Sequence, residues 1–483
     1  MRVPHGIAYS KARLPLRSGV LGEGSQAAYE LAGGHTLPKP PVLSIPMIDA
    51  EADGRRFVLC ADPNCTTGFR PGEFEWIHTA GGRAERTFYT RPHTGDFRSA
   101  MDVFYRTALA GVKPGADWLH DVAMVDYDYL SKNGRGWFAD IDKLAELIPR
   151  AGRHRVVMTL HGWYDLVGRY AYNWRARRLE SKWVAFPNVD SPSFVAHANN
   201  PERMNQKLWG WKHTFGKMKP VEMTIADVHR RIRYAKEKGF RCVLYFADGM
   251  NSGDGIADVH DPSKVLKWGG WIGPETSGKT YVQNPLHPGV REFYNGYMAA
   301  LLDEYGKEID GLVWDETFTV HAADQGTQPY PGYADAAMMS LVDELRRKVE
   351  AFSPHLAFLS SDNLGPNFRA PYALAAHGNY QDSGCRPNYW PFGLLPNFRN
   401  VLWSCNWFPD TTWDWNERAV DPFGAPVAIS NGYGDDLGLS DMNAAQIARM
   451  LALFHKRAAR RTRIGWLEQQ HGKYLYGGKE IPL

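Results

Sequence analysis

Cysteine is scarce in these 483 residues: Cys60, Cys65, Cys242, Cys385 and Cys405 are odd in number and include no CxxC pair. This argues against a disulfide framework or a cysteine zinc site, leaves at least one thiol free, and makes core burial the default place for these side chains. Charge of one sign is lacking too. The net charge is +3 with the signs interspersed, so nucleic acid and anionic membranes are not expected partners. No apolar run approaches the length of a membrane span. Residues 1–20 carry Arg2, Lys11, Arg13 and Arg17 but no apolar stretch of the signal-peptide kind. The expectation is a cytoplasmic protein, or a secreted or periplasmic one whose signal segment has been removed. A zinc-protease helix motif (HExxH) is missing as well. No metal and no cofactor are expected, though a structural carboxylate-only calcium site stays open.

What the chain has in quantity is aromatic rings: 17 Trp, 23 Tyr and 22 Phe. Many must be core. Others stand beside Asn, Asp, Gly or His in loop-like stretches, as at His161-Gly-Trp163, Asn406-Trp407 and Trp413-Asp-Trp415. A sugar presents flat C–H faces and a rim of hydroxyls, so a site for it combines aromatic platforms with carboxylates and amides. For any single ring, packing within a loop is an equal alternative.

Residues 1–115 read as β-rich. Segments 42–48, 56–60 and 86–90 have strand composition between Gly, Pro and Asp turns, as in part of a β-sandwich. Residues 97–109 read as a helix and 111–115 as a linker. From 116 to 462 the pattern becomes strand, loop, helix. Apolar runs at 122–125, 155–160, 242–246, 311–314, 356–359, 372–376, 401–404 and 427–429 predict eight strands. Apolar residues at i, i+3, i+4 spacing predict helices over 137–148, 225–238, 290–302, 333–349 and 442–458. Such alternation implies parallel strands, which need crossover connections. Eight units suggest an α/β fold closed as a (β/α)8 TIM barrel. The alternative is an open doubly wound sheet, but no GxGxxG follows the first strand, and polar residues recur at every strand end rather than at one crevice. Residues 463–483 read as the opening of a C-terminal β segment.

In barrels, function gathers where strands end. The first strand offers Asp126 and Asp128, and the second His161 and Trp163. The third offers Asp248 and the fourth Asp315 and Glu316. The fifth gives Asp362, the sixth His377, Asn379 and Asp382, the seventh Asn406 and Trp407, and the eighth Asp435 and Asp436. So many carboxylates suit glycoside hydrolysis, which needs two carboxyl groups flanking the bond. Asp315 and Glu316 are not that pair, because neighbours on a strand point to opposite faces. Gly311, Val313 and Asp315 share a face, and a glycine suits a crowded barrel interior, so Asp315 is expected inside. The plainer readings are that Asp side chains here stabilise turns and that His161 is a structural hydrogen-bonder. No strand ends in Lys, against a Schiff-base lyase, and the first strand carries Asp-Tyr-Asp rather than the His-x-His of a metal-dependent hydrolase.

The segment DGLVWD at 310–315 resembles the fourth-strand signature of retaining α-glycosidases in the α-galactosidase/α-glucosidase clan. Asn284-Pro285 followed by HPGVREF at 287–293 resembles the helix start that precedes that strand. The likeness is good over about residues 280–320 and in outline elsewhere. It implies a glycoside hydrolase acting on α-linked sugars by double displacement, with Asp315 as nucleophile and Asp382 as acid/base. Endo-α-N-acetylgalactosaminidase-like barrels place the acid after strand five, which keeps Asp362 in contention. Asp126, Asp128, His161 and Asp248 would bind sugar hydroxyls, and Trp163, Trp314 and Trp407 would wall the terminal subsite. Glu316, Asn379, Asn406, Asp435 and Asp436 complete the expected substrate contacts. The expected partner is a glycoside or oligosaccharide; the sequence is silent on oligomeric state. An inverting or β-specific glycosidase with Asp362 as acid, or a carbohydrate-binding barrel without catalysis, are the rival readings.

Overall fold

Short strands broken by Gly, Pro and Asp turns build the first hundred residues. The computed structural model describes residues 1–15, 21–24, 27–29, 43, 45–61, 67–76, 87–108, 110, 115–128, 130–164, 170–185, 221–248, 250–252, 281–315, 334–361, 376–381, 401–404, 426–431, 439–459, 468–470, 473–476 and 479–480. Leu21–Gly24, Lys11–Pro15, Met47–Ala52, Arg55–Ala61 and Phe88–His93 make a five-stranded antiparallel sheet. Arg2–Pro4, Glu73–Trp76, Thr67–Arg70 and Ala27–Tyr29 make a four-stranded one. Leu14, Ile48 and Leu59 of the first share a core with Phe69 and Phe74 of the second. The hairpin from Met47 to Ala61 reverses on Asp53 and Gly54, whose φ angles are 50° and 67°. A helix, Phe97–Thr107, follows and ends two residues before the expected position.

Beyond it the described residues form eight parallel strands: β1 Met124–Asp128, β2 Val156–Leu160, β3 Arg241–Asp248, β4 Gly311–Asp315, β5 Ala357–Ser361, β6 Gly378–Gln381, β7 Val401–Ser404 and β8 Val427–Asn431. They lie in the order β7-β6-β5-β4-β3-β2-β1-β8, each parallel to its neighbour. The described crossovers are helices, as parallel pairing requires: α1 Gly136–Leu147, α2 Ile225–Glu237, α3 Pro288–Tyr305 and α4 Ala334–Phe352, with α5 Ala444–Ala459 after β8. Among the described residues no helix is long and apolar enough to cross a membrane.

Local chemistry sets the helix starts. Thr224 and Asp227 form a reciprocal capping box at α2, with the Asp227 N–H donating to Thr224 Oγ1 at 3.2 Å and the Thr224 N–H to Asp227 Oδ2 at 3.1 Å. At α3, Pro288 occupies the first turn, where its missing N–H costs nothing, and His287 Nδ1 accepts from the Gly289 N–H at 2.9 Å. The buried stripe of α3 is the one its spacing predicts: Val290, Phe293, Tyr294, Tyr297, Met298, Leu301 and Leu302. Asp310 then ties the entry of β4 to β3, accepting from the Cys242 N–H at 2.8 Å and from Lys236 Nζ at 2.7 Å. The thiols of Cys60 and Cys242 are both buried.

The apolar run at 372–376 lies outside the described residues except for Ala376; the sixth described strand, β6, starts at Gly378, paired with Leu359. His377 therefore precedes its strand instead of ending it. Its Nδ1 accepts from the Phe358 N–H at 3.0 Å and its Nε2 faces Glu350 of α4 at 3.0 Å, a structural clamp at the strand's entry.

Register assigns the faces. Tyr127 pairs with Thr159, Thr159 with Val243, and Val243 with Gly311. Partners in a parallel ladder share a face, and faces alternate along each strand. Val125, Tyr127, Thr159, Val243, Tyr245, Gly311, Val313 and Asp315 thus lie on one face. Asp126, Asp128, Leu160 and Trp314 lie on the other, where Trp314 stacks on Tyr294 of α3 with ring centroids 5.3 Å apart. The Asp315 face is crowded at its start: a Cβ on Gly311 would sit 2.8 Å from the Ala357 carbonyl oxygen and 3.0 Å from its Cβ. Because the obstacle is backbone, Gly311→Ala should destabilise the protein by about 1–3 kcal/mol, the range for overpacking. Denaturant titration checks this, and an unchanged midpoint would show that β4 and β5 can part at no cost.

Candidate active site

Asp315 is the last residue of β4 and is 2% exposed. A carboxylate removed from water needs donors. Tyr245, two residues upstream in register on the same face of β3, provides one: its hydroxyl donates to Asp315 Oδ2 at 2.5 Å. This is at the short end of the O–H···O range. His161, the residue after β2, turns its Nε2 to the same oxygen at 3.6 Å. Its ring lies against Tyr245, centroids 3.5 Å apart. The His161 backbone is fixed by an N–H···O bond of 2.8 Å to Asp128. Burial drives the imidazole pKa from its ordinary 6.5 down to about 4, against the opposing pull of Asp315. His161 is therefore neutral near pH 7, and the group beside Asp315 is a polar ring and not a counter-charge.

The ladder of β3 to β4 shifts between Tyr245 and Ala247: Tyr245 pairs with Val313 before the shift, and Asp248 pairs with Asp315 after it. A bulge re-aims side chains and recurs beside functional sites. It brings Asp248, an expected ligand, level with Asp315 at the strand ends.

Four expected ligands are placed elsewhere. Asp126 and Asp128 are buried on the helix-facing side of β1, not on the Asp315 face. Asp128 Oδ2 accepts from the Leu130 N–H at 3.2 Å, the self-turn bonding typical of Asp. It lies near Arg231 of α2 and Asp140 of α1, and burial together with the Asp128 charge raises the Asp140 pKa. The chain beyond it reverses through Leu130, Lys132 and Asn133, with φ of 57°, 53° and 55°. Trp163 and Trp314 are wholly buried and offer no ring face to a sugar. Trp163 Nε1 donates to the Tyr245 carbonyl at 2.8 Å, and its ring packs edge-on against Tyr164, Trp183 and Tyr305. Asn379 stands in β6 level with Ser360 and Leu402. Glu316, Asp362, Asp382, Asn406, Trp407, Asp435 and Asp436 lie outside the described residues. The geometry adds two residues the sequence reading passed over, Tyr245 and Tyr127, both buried on the Asp315 face. Their signal was a phenol within an otherwise apolar strand.

No family model matches this sequence, and no curated protein does. Solved structures do match its fold. An α-galactosidase (GH36) from Geobacillus stearothermophilus, solved as a variant with raffinose, superposes with a TM-score of 0.53 at 11% identity over 95% of this chain and 62% of its own. An α-N-acetylgalactosaminidase from Bifidobacterium bifidum, solved with GalNAc, gives 0.51 at 10% identity over 95% and 75%. An α-galactosidase from Lactobacillus brevis gives 0.51 at 11% over 95% and 60%. This chain therefore spans under two thirds of the length of both α-galactosidases. The shared property is the α/β fold: a parallel sheet with helical crossovers behind an antiparallel β region.

The neutral state of His161 carries a linkage. Between pH 6.5 and about 4 the unfolded chain takes up a proton that the folded chain refuses. The resulting stability is full above pH 6.5 and is lost as pH falls through that window, by at most about 3 kcal/mol. His161→Gln should flatten the fall in stability across this window. Chemical denaturation of both proteins from pH 7 to 4 measures it; parallel curves would show that His161 is protonated in the folded state.

Proposed function

We propose that this protein is a glycoside hydrolase acting on α-linked sugars, with α-galactosides and α-N-acetylgalactosaminides the first substrates to test. The observation that carries this reading is the Asp315 carboxylate at the end of the fourth parallel strand, held by Tyr245 and His161, in a fold shared with enzymes of those names. Closure of the eight strands into a barrel belongs to the same reading. It is supported by the approach of β7 to β8, whose Cα atoms come within 8 Å of each other. So does a division into a sandwich-like region over 1–115, a catalytic barrel over 116–462 and a β segment from 463, supported by the shared core of the two antiparallel sheets.

In this mechanism Asp315 attacks the anomeric carbon as the glycosidic oxygen is protonated. A glycosyl-enzyme ester forms, and water then cleaves it with the acid now acting as base. Asp382 is the proposed acid/base, with Asp362 the alternative. Tyr245 fixes the rotation of the Asp315 carboxylate by donating to Oδ2. Neutral His161 gives polar support without a positive charge that would weaken the nucleophile. Tyr245→Phe should lower kcat by about 10²–10³-fold, the usual cost of removing one well-placed donor, while Tyr127→Phe, on the same face, serves as a comparison; equal kcat for Tyr245→Phe and wild type would remove Tyr245 from the mechanism.

The decisive experiment is hydrolysis of aryl α- and β-glycosides by wild type and Asp315→Ala, with azide added to the variant. A glycosyl azide of inverted anomeric configuration identifies Asp315 as the nucleophile and names the sugar. Full activity in Asp315→Ala would move the nucleophile elsewhere. In a crystal structure the paired carboxyls should stand about 5–5.5 Å apart for retention, and about 6.5–9.5 Å would mean inversion.

A further inference from the structure

The outer wall of α3 carries a groove that the proposed chemistry does not use. It has a volume of about 490 Å³, within the range of small-molecule sites. Its floor is made by small residues of α3, among them Gly289, Gly296 and Ala299. The hairpin formed by Tyr172–Asn173 and Arg178–Leu179 lines it too, as does Lys348 of α4. The groove exists because the hairpin packs tightly at one point: a Cβ on Gly296 would collide with the Tyr172 hydroxyl.

The hairpin turn holds up one indole. Trp174 is 36% exposed, one of three large exposed hydrophobic side chains among the described residues, with Met1 and Phe352. Its turn is stiff. The Ala176 N–H donates to Asn173 Oδ1 at 3.0 Å, Arg177 adopts φ 52°, and Arg177 pairs with Glu292 of α3 at 2.7 Å. An aromatic face kept in water by an ordered turn is preorganised for stacking.

The polar lining narrows the ligand. Glu292 and Asp303 are balanced by Arg177 and Lys348, and Asn295 adds an amide whose Oδ1 is buried without a hydrogen-bond partner. A phosphate or carboxylate ligand would need an excess of positive charge. Balanced charges, an amide and a ring face suit a neutral polyol with apolar C–H faces. We propose that this groove binds neutral oligosaccharide, with Trp174 as its stacking platform, on the opposite side of α3 from the sheet that carries Asp315. The choice of sugar over other neutral polyols rests in part on the glycosidase reading; the groove itself does not.

The test uses the full chain carrying Asp315→Ala, titrated calorimetrically with stachyose, maltotetraose and cellotetraose. At least one tetrasaccharide should bind. Adding Trp174→Ala, or Ala299→Arg to fill the groove from an exposed position, should weaken that binding about tenfold, the loss of one aromatic contact. In the wild-type background neither change should alter kcat/KM on a small aryl glycoside by more than about twofold. Equal affinities in all three proteins, or no binding by Asp315→Ala, would overturn the proposal. Trp174-dependent binding without hydrolysis of any glycoside would support the groove and remove the glycosidase reading; hydrolysis with Trp174-independent binding would do the reverse.

Discussion

A carboxylate cannot be buried at a strand end without donors, and that constraint organises the centre of this molecule. Asp315 lies 2% exposed, and its neighbours are arranged around that fact. The Tyr245 phenol bonds it, the neutral His161 ring lies beside it, and the register shift in β3 brings Asp248 level with it. Asp310, five residues earlier, gathers the Cys242 N–H and Lys236 at the strand's entry. Gly311 permits β5 to approach. The same short strand is thus held by charge at its entry, by steric fit behind it and by the Tyr245 hydrogen bond at its end.

The topology was legible because its cause is local. Parallel strands buried on both faces read as apolar runs, and each described crossover reads as a 3.6-residue stripe. Seven of the eight runs overlap observed strands. The sixth run, 372–376, lies outside the described residues but for Ala376, and β6 is placed by pairing to Leu359 and Val401, which are distant in sequence. The N-terminal strands at Arg2–Pro4, Leu21–Gly24 and Ala27–Tyr29 are three or four residues long and carry too few side chains to show a period.

Site residues were legible only as far as a face could be assigned within one strand. Alternation along β4 put Asp315 on the face of Gly311, and the register agrees. The same alternation says that Asp126 and Asp128 share a face with each other, but which face is decided by register with β2, and sequence does not carry register between strands. Tyr127 stands between them on the Asp315 side. The reading favoured carboxylates because they carry chemistry, and the structure fills that side of β1 and β3 with phenols.

The aromatic excess has the same explanation. Rings in loop-like stretches read equally as sugar platforms or as loop packing; Trp163 packs, and with Tyr164, Tyr170 and Tyr172 it runs from the end of β2 into contact with α3 and β3. Phe246 and Trp314 continue that band from the sheet side, meeting Tyr294 and Tyr297. A helix that must cover a sheet end bearing a buried carboxylate gains from rings, because they fill large volumes with few rotatable bonds. The phenols keep their polarity satisfied in part among themselves, as Tyr170 and Tyr294 do at 2.8 Å. Burial holds Tyr170 and Tyr297 well above the ordinary tyrosine pKa, so the layer stays uncharged. Burial in that layer uses up the ring faces. Trp174 keeps its face because it sits at a turn whose shape is set by Asn173 and Arg177, beyond the reach of the helix that buries its neighbours.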